Sequence, residues 1–172
     1  ALPQGPVHVQ GLPSSTTVVD VVATTTAGET VRGQVAIEEA GDLDRVRLEP
    51  APAPPPAAGD AIDGADLVVL GPGSLYGSVL AAATVPELVD AVDRTKATRV
   101  LVCNLRPRPP ETAGYDVAAH LRALRRHGIG VDVVVVQPGA LPTGDVGDVE
   151  VVEAEIAGAS GLAHDPEPLG AA

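Results

Sequence analysis

The sequence contains almost no aromatic side chains: Phe and Trp are absent, and Tyr76 and Tyr115 are the only tyrosines. Methionine is absent too, although 45% of the chain is hydrophobic. A core without large rings has to be built from Val, Leu, Ile and Ala, which favours a buried parallel sheet over an aromatic-rich sandwich. With 172 residues, the chain is long enough to form one domain around such a core.

Cysteine and long apolar runs are also scarce. Cys103 is the only cysteine, which excludes an internal disulfide and is typical of a small core residue. No apolar stretch reaches the ~20 residues that a membrane-spanning helix needs, and no export signal opens the sequence. The four histidines lack metal-ligand spacing, so we expect no metal site. These features predict a soluble, cytoplasmic protein without membrane insertion.

Positive charge is in short supply, because 11 Lys and Arg residues face 23 Asp and Glu residues, for a formal net charge of −12. This charge repels phosphate backbones and anionic lipids, and it therefore argues against nucleic acids and membranes as partners. An anion site in such a protein has to rely on local backbone N–H groups and one or two arginines.

The first part of the chain is rich in β-branched residues. Residues 16–37 predict two strands joined by a turn at residues 27–29, and residues 44–49 predict a third, half-buried strand. Residues 50–59 are rich in proline, which cannot donate to a strand ladder, and they predict an extended connector.

Beyond the connector, short apolar runs alternate with amphipathic stretches. Residues 66–70, 99–103 and 131–136 predict buried strands, and residues 86–96 and 116–127 predict helices. This order indicates an α/β fold: a partial Rossmann-like parallel sheet with an N-terminal antiparallel β subdomain. Three strands are too few for a doubly wound domain, so we expect a further part to cover the other edge. The predicted division is a β-rich subdomain at residues 1–50, the connector at 51–60, a Rossmann-like half domain at 61–157 with an edge strand within 149–156, and a mobile tail at 158–172.

The loop after the first buried strand carries the clearest functional signal. Ligands of parallel sheets bind at the carboxyl ends of the strands. Here two glycines permit a sharp turn and a close approach of backbone N–H groups, and a serine could cap the next helix. The pattern predicts an anion-binding loop, and an ordinary strand-to-helix turn is the alternative. The predicted ligand contacts are Gly71, Pro72, Gly73, Ser74, Leu75, Tyr76 and Ser78.

A second polar loop follows the next strand and should emerge at the same edge of the sheet. Asn104 offers a donor and an acceptor to a base or a sugar hydroxyl, and Arg106 and Arg108 are counter-charges for phosphate. Glu111 and Thr112 could bind sugar hydroxyls or cap the helix that follows. A solvated loop is the alternative for each arginine. We expect the two loops to form one ligand site.

The stretches ADLVVLGPGSLYGSVL, RVLVCNLRPRPPETAGYDVAAHLRAL and VDVVVV, together with VRGQVAI and HDPEPLG, resemble the YvcK-like family. This family is also called the gluconeogenesis factor family and is related to the CofD 2-phospho-L-lactate transferases. The resemblance implies a Rossmann-like domain that binds a nucleotide or nucleotide-sugar at the strand ends. It further implies a cytoplasmic regulator that binds UDP-sugars and supports carbon metabolism and cell shape.

The chain departs from the family pattern in and beside the two loops. Gly77, Arg108, Pro110 and Ala119 stand where the family has Thr, Gln, Gly and Asp. Family members also open with a Gly-Gly-Gly-Thr-Gly loop on a first strand, and nothing like it occurs here. The resemblance therefore implies that this chain corresponds to the C-terminal half, which would leave it without part of the sheet and of the nucleotide site.

Three functions are left open. In the first, a regulator without turnover, Ser74 and the amides of Gly71 and Gly73 would hold phosphate, while Asn104 and Glu111 would orient the sugar or base. The second is a CofD-like phospholactyl transferase that uses Mg²⁺, with three acids available as ligands. The third is a truncated, inactive remnant. A UDP-sugar or another nucleotide is the only small molecule expected, and the sequence leaves homo-oligomerisation open. The acids for the transferase are Asp66, Glu111 and Asp116.

Overall fold

Alternating and continuous apolar patterns produce two separate sheets within residues 11–171, the part of the chain that the computed structural model describes. The first ten residues of the predicted β-rich subdomain and the last residue of the predicted tail lie outside the described residues. The elements are β1 Asp20–Thr25, β2 Thr30–Arg32, α1 Gln34–Glu38, β3 Leu43–Glu49, α2 Pro56–Asp63, β4 Leu67–Leu70, a π-helical segment Leu75–Leu80 continued by α3 Ala81–Ala83, α4 Pro86–Arg94, β5 Thr98–Val102, α5 Val117–Arg126, β6 Val133–Val136, β7 Glu150–Glu153 and α6 Pro166–Leu169.

The first sheet is antiparallel and has the order β2-β1-β3. In the central strand β1, Val22 pairs with Arg32 of β2 on one side and with Arg47 of β3 on the other. The strand predicted up to residue 37 is wrong at its end, because α1 begins at Gln34. Gly33 has a φ of 90°, which turns the chain away from the ladder, and Ile37 is then fully buried in the core.

The proline-rich connector is also shorter than predicted, because α2 begins at Pro56. Proline is tolerated at the first helical position, where its missing N–H leaves no hydrogen bond unmade and its fixed φ suits the helix. Ala58 is buried in a small cluster with Leu48, Val85 and Leu88, so apolar contacts with α4 stabilise this helix.

The second sheet is fully parallel, and its order β4-β5-β6-β7 follows the chain. Its central register pairs Leu101 with Val134 and Val134 with Val151. The strands predicted from continuous apolar runs are therefore confirmed, and the predicted edge strand is confirmed as β7. The α/β fold class, with an antiparallel sheet before a parallel one, is confirmed as well.

One hydrophobic cluster contains residues of both sheets, such as Val46 of β3 and Val134 of β6. Tyr76 belongs to this cluster and is fully buried, and its hydroxyl donates to the Leu43 carbonyl at 3.0 Å. The backbone N–H of Val46 donates to Nε2 of His127 at 2.9 Å, directly after α5. These contacts join the antiparallel sheet to the π-helical segment and to the end of α5, while the predicted domain boundaries stay a prediction.

The strand β4 is an edge of the parallel sheet, because it pairs only with β5 among the described strands. Leu67 and Val69 on this strand are 53% and 50% exposed. A parallel sheet is normally covered on both faces, so this edge carries more open apolar surface than the rest. Within residues 11–171 no single helix could span a membrane, and only the bent pair of 75–83 and 86–94 has the combined length and apolar composition to do so.

Candidate functional site

The two predicted loops lie side by side, because β4 and β5 are parallel neighbours whose carboxyl ends meet at one edge of the sheet. Gly71 begins the first loop with a φ of 85°. A Cβ at this position would lie 3.1 Å from the carbonyl oxygen of Val102, the last residue of β5. Gly71 therefore allows the first loop to cross close to the backbone of the next strand.

The buried side chain of Glu111, in the second loop, forms hydrogen bonds with the first loop. Its Oε1 accepts from the Ser74 hydroxyl at 2.6 Å and from the backbone N–H groups of Tyr76 and Gly77 at 2.9 and 3.1 Å. Glu111 and Ser74 are each 2% exposed. The predicted anion-binding loop thus already holds an anion, and that anion is a carboxylate of the same chain.

Gly77 has no room for a larger side chain. A Cβ on Gly77 would lie 2.8 Å from Cγ of Glu38 and 2.9 Å from Oγ of Ser74. The side chain of Glu38 therefore fills the space that a threonine would need here. Arg108 lies 3.8 Å from the same Glu38 carboxylate, so Glu38 is a neighbour of both Gly77 and Arg108.

Four more predicted contacts are buried or hydrogen-bonded within the protein in this arrangement. The Thr112 hydroxyl accepts from the backbone N–H of Arg108 at 2.9 Å and closes the second loop on itself. Leu75 and Tyr76 point into the core and are 2% and 0% exposed. Ser78 is half-buried, and its hydroxyl accepts from the Gln34 amide at 3.4 Å.

A cavity of about 780 Å³ opens where the two loops meet, and we call it the loop cavity. Its volume falls in the range of about 300–1,000 Å³ that is usual for small-molecule sites. The predicted contacts Pro72, Gly73, Asn104 and Arg106 line it, whereas the other seven predicted contacts do not. Its lining is Pro72, Gly73, Asn104, Leu105, Arg106, Pro107, Arg108, Pro109, Leu162, Ala163, His164, Pro166 and Leu169.

The third wall of the loop cavity comes from residues 162–169, which the site prediction left out. His164 pairs with Ala157 in an antiparallel bridge, and its Nε2 lies 3.2 Å from the Cys103 carbonyl oxygen at the end of β5. Asp165 caps α6 by accepting from the backbone N–H of Glu167 at 3.0 Å. The Asp165-Pro166 pair is a usual helix start, so this turn was visible in the sequence.

Burial decides the protonation of the groups beneath the loops. Desolvation raises the pKa of the Cys103 thiol to about 11, so this cysteine is a neutral core residue. Desolvation lowers the pKa of His120, whose Nδ1 donates to the Asp116 carbonyl at 2.8 Å. Nε2 of His120 and Oε2 of Glu111 are buried without a hydrogen-bond partner in the described part of the chain.

The acids offered for a divalent metal do not converge. Asp66 precedes β4 and therefore lies at the opposite end of this strand from the loop cavity. Glu111 is bound to the first loop, and Asp116 caps α5 by accepting from the backbone N–H of Ala119 at 2.6 Å. Within residues 11–171 no group of three His, Cys, Asp or Glu side chains is close enough to hold a metal ion. These residues do not fit the metal that the CofD resemblance implies.

Comparison with known proteins identifies relatives over most of the chain. The family model described as 2-phospho-L-lactate transferase CofD matches residues 5–167. A gluconeogenesis factor from Bacillus subtilis is 37% identical over 135 residues, which is 76% of this chain and 43% of that protein. A gluconeogenesis factor from Halalkalibacterium halodurans is 40% identical over 113 residues, which is 63% of this chain and 35% of that protein.

A solved structure supports the same relationship. The crystal structure of a UPF0052 family member from Bacillus halodurans matches with a TM-score of 0.81 and 28% sequence identity. The match covers 89% of this chain and 57% of that one. The chain therefore spans about half the length of the relatives that it matches.

Proposed function

Since this chain belongs to the CofD family, we propose that it is a cytoplasmic, nucleotide-sugar-binding regulatory protein of the gluconeogenesis factor type, linked to carbon metabolism and cell shape. The observation that carries the proposal is the loop cavity, which combines arginine, asparagine and an accessible glycine backbone at the carboxyl ends of two parallel strands. Ligands of open α/β sheets bind at this place.

The lining offers partners for the phosphates of a nucleotide-sugar and for either its base or its sugar. The exposed guanidinium groups of Arg106 and Arg108 donate to phosphate oxygens, for which their planar donor geometry is suited. Asn104 carries both a donor and an acceptor for a base or a sugar hydroxyl. Ser74 takes no direct part in this proposal, because its hydroxyl is buried and bonded to Glu111.

Local charge has to overcome the charge of the whole chain. The formal net charge of −12 repels a diphosphate, so affinity rests on the two arginines of the loop cavity. Arg108 shares its charge with Glu38 at 3.8 Å, whereas Arg106 has no acid partner among the ion pairs of the described residues. We therefore expect Arg106 to contribute most to phosphate binding.

Calorimetric titration of the purified chain with UDP-N-acetylglucosamine, GDP and NAD, each with and without Mg²⁺, tests the proposal. We expect saturable binding of the UDP-sugar, a loss of at least tenfold in affinity for Arg106→Ala, and a smaller loss for Asn104→Ala. Arg32→Ala is the matched control, because it removes the same charge from the antiparallel sheet. Absence of binding by the unaltered chain, or an equal loss in the control, would contradict the proposed site.

A CofD-like transferase is the second candidate, and the family match supports it. It requires product formation that depends on a divalent metal, which the same purified chain can be assayed for with a phospholactyl donor and a deazaflavin acceptor. Binding without product supports the regulator, and metal-dependent product supports the transferase. Neither binding nor product, together with a low unfolding midpoint, supports the inactive remnant.

A further inference from the structure

The segment that closes the loop cavity is fixed to the parallel sheet at several points. Ile156, which precedes it, is fully buried, and the backbone N–H groups of Ile156 and Ala157 both donate to the Gln137 side-chain oxygen at 2.8 Å. The chain then turns and returns, with the Asp165 N–H donating to the Ile156 carbonyl at 2.8 Å. This pairing places His164 beside the end of β5.

The contact of His164 with β5 fixes which ring nitrogen carries its proton. Nε2 lies 3.2 Å from the Cys103 carbonyl oxygen, and a carbonyl oxygen only accepts hydrogen bonds. Nε2 is therefore the donor, and in the neutral ring Nδ1 is left with a free lone pair. The only hydrogen bond of His164 in the described structure is the one through Nε2, so Nδ1 is available as an acceptor.

The polar groups of the loop cavity then divide by their chemistry. Arg106 and Arg108 only donate hydrogen bonds, which suits the phosphate oxygens of a ligand. His164 lines the same cavity, and its Nδ1 adds an acceptor, which suits a hydroxyl or N–H group of a ligand. Resting on the proposed function, we propose that His164 is a specificity-determining residue that accepts a hydrogen bond from the non-phosphate part of a nucleotide-sugar.

A purely structural His164 is the competing explanation, because the bond to Cys103 alone would hold the segment against β5. Two substitutions separate these roles. His164→Gln keeps an amide N–H at the distance of Nε2 and can still donate to the Cys103 carbonyl, but it offers no acceptor at the position of Nδ1. His164→Asn places its amide oxygen near the position of Nδ1 but is too short to reach Cys103.

The experiment is calorimetric titration of the unaltered chain, His164→Gln and His164→Asn with UDP-N-acetylglucosamine, UDP and inorganic pyrophosphate. We expect His164→Gln to lose about tenfold in affinity for a probe with a sugar or base, as one lost hydrogen bond predicts, with pyrophosphate binding unchanged. His164→Asn should keep more of the selectivity for the UDP-sugar over pyrophosphate than His164→Gln does. The probe that first shows the loss, UDP or the UDP-sugar, locates the donor group on the nucleoside or on the sugar.

The opposite order of the two variants would overturn the proposal, because it would assign His164 to anchoring alone. A loss of pyrophosphate affinity in His164→Gln would overturn it as well, since it would make His164 a phosphate ligand. If the unaltered chain binds no UDP-sugar, the proposed function itself fails. If it binds the UDP-sugar and all three chains bind it equally, only the role of His164 fails.

Discussion

Replacing Glu111 tests the most consequential contact in the structure. In Glu111→Ala, the Ser74 hydroxyl and the backbone N–H of Tyr76 lose their acceptor inside the protein, whereas the N–H of Gly77 keeps the Ser74 oxygen at 3.1 Å. A buried donor left without a partner costs about 1–3 kcal/mol. Two such donors predict that Glu111→Ala lowers the free energy of unfolding by about 2–6 kcal/mol, a large share of the 5–15 kcal/mol that stabilises typical domains.

Glu111→Gln should cost less, because its amide oxygen can replace Oε1 as the acceptor for the same donors. The remaining loss is the difference between a charged and a neutral acceptor, or about 1–2 kcal/mol. Urea unfolding followed by far-ultraviolet circular dichroism measures both variants, since the chain has no tryptophan for fluorescence. A loss of about 3 kcal/mol lowers the urea midpoint by roughly 1–3 M.

The exposed Glu29 is the matched control, because Glu29→Ala removes the same charge without an internal carboxylate contact. If the free energy of unfolding of Glu111→Ala lies within about 0.5 kcal/mol of that of this control, the two loops are not held together by Glu111. If Glu111→Gln is as unstable as Glu111→Ala, the loop requires the negative charge itself and the count of unpaired donors is the wrong explanation.

Three further predictions concern single contacts. Burial lowers the pKa of His127, whose Nε2 accepts a hydrogen bond from the Val46 N–H. As the pH falls, the unfolded chain therefore binds a proton at this histidine before the folded chain does. The free energy of unfolding should decrease as the pH falls below about 6.5. His127→Gln should show a flatter dependence of unfolding free energy on pH between 5 and 8. Gly77→Ala should cost about 1–3 kcal/mol, because the added Cβ would clash with both the Glu38 side chain and Oγ of Ser74. Adding Glu38→Ala should recover only the part of this cost that is due to Glu38, and equal stability of the single and double variants would contradict this. The buried Cys103 thiol, with its pKa raised to about 11, should react with a thiol reagent far more slowly in the native chain than in urea.

The sequence predicted those parts of the fold that depend on local patterns. The run of valines in β6 is apolar on both faces, which is typical of a parallel strand that is buried on both sides. The same local reasoning failed at α1, because VRGQVAI has the composition of a strand, whereas the chain leaves the strand at Gly33, which has a positive φ, and α1 follows. At Pro56 the sequence predicted an extended connector where a helix begins, because proline is compatible with both an extended segment and the first turn of a helix.

The candidate site shows a different limit. The parallel fold predicted that the site lies at the carboxyl ends of β4 and β5. It also predicted that Gly73 and Asn104 are neighbours there. No local pattern shows that Glu111 bonds to Ser74, which lies 37 residues away in sequence. The contribution of His164 depends in the same way on a chain reversal, which only the tertiary structure brings to β5.

The internal carboxylate also changes how an anion can bind at this edge. The backbone N–H groups of Tyr76 and Gly77 would hold a phosphate if they were free, yet Glu111 occupies both and holds the Ser74 hydroxyl as well. A phosphate could take that position only by expelling a buried carboxylate that accepts three hydrogen bonds, and the expelled charge would then need a new partner. Glu111 therefore fixes the first loop without any ligand. Under the proposed function, phosphate binding therefore rests on the exposed arginines of the second loop and not on the backbone N–H groups of the first.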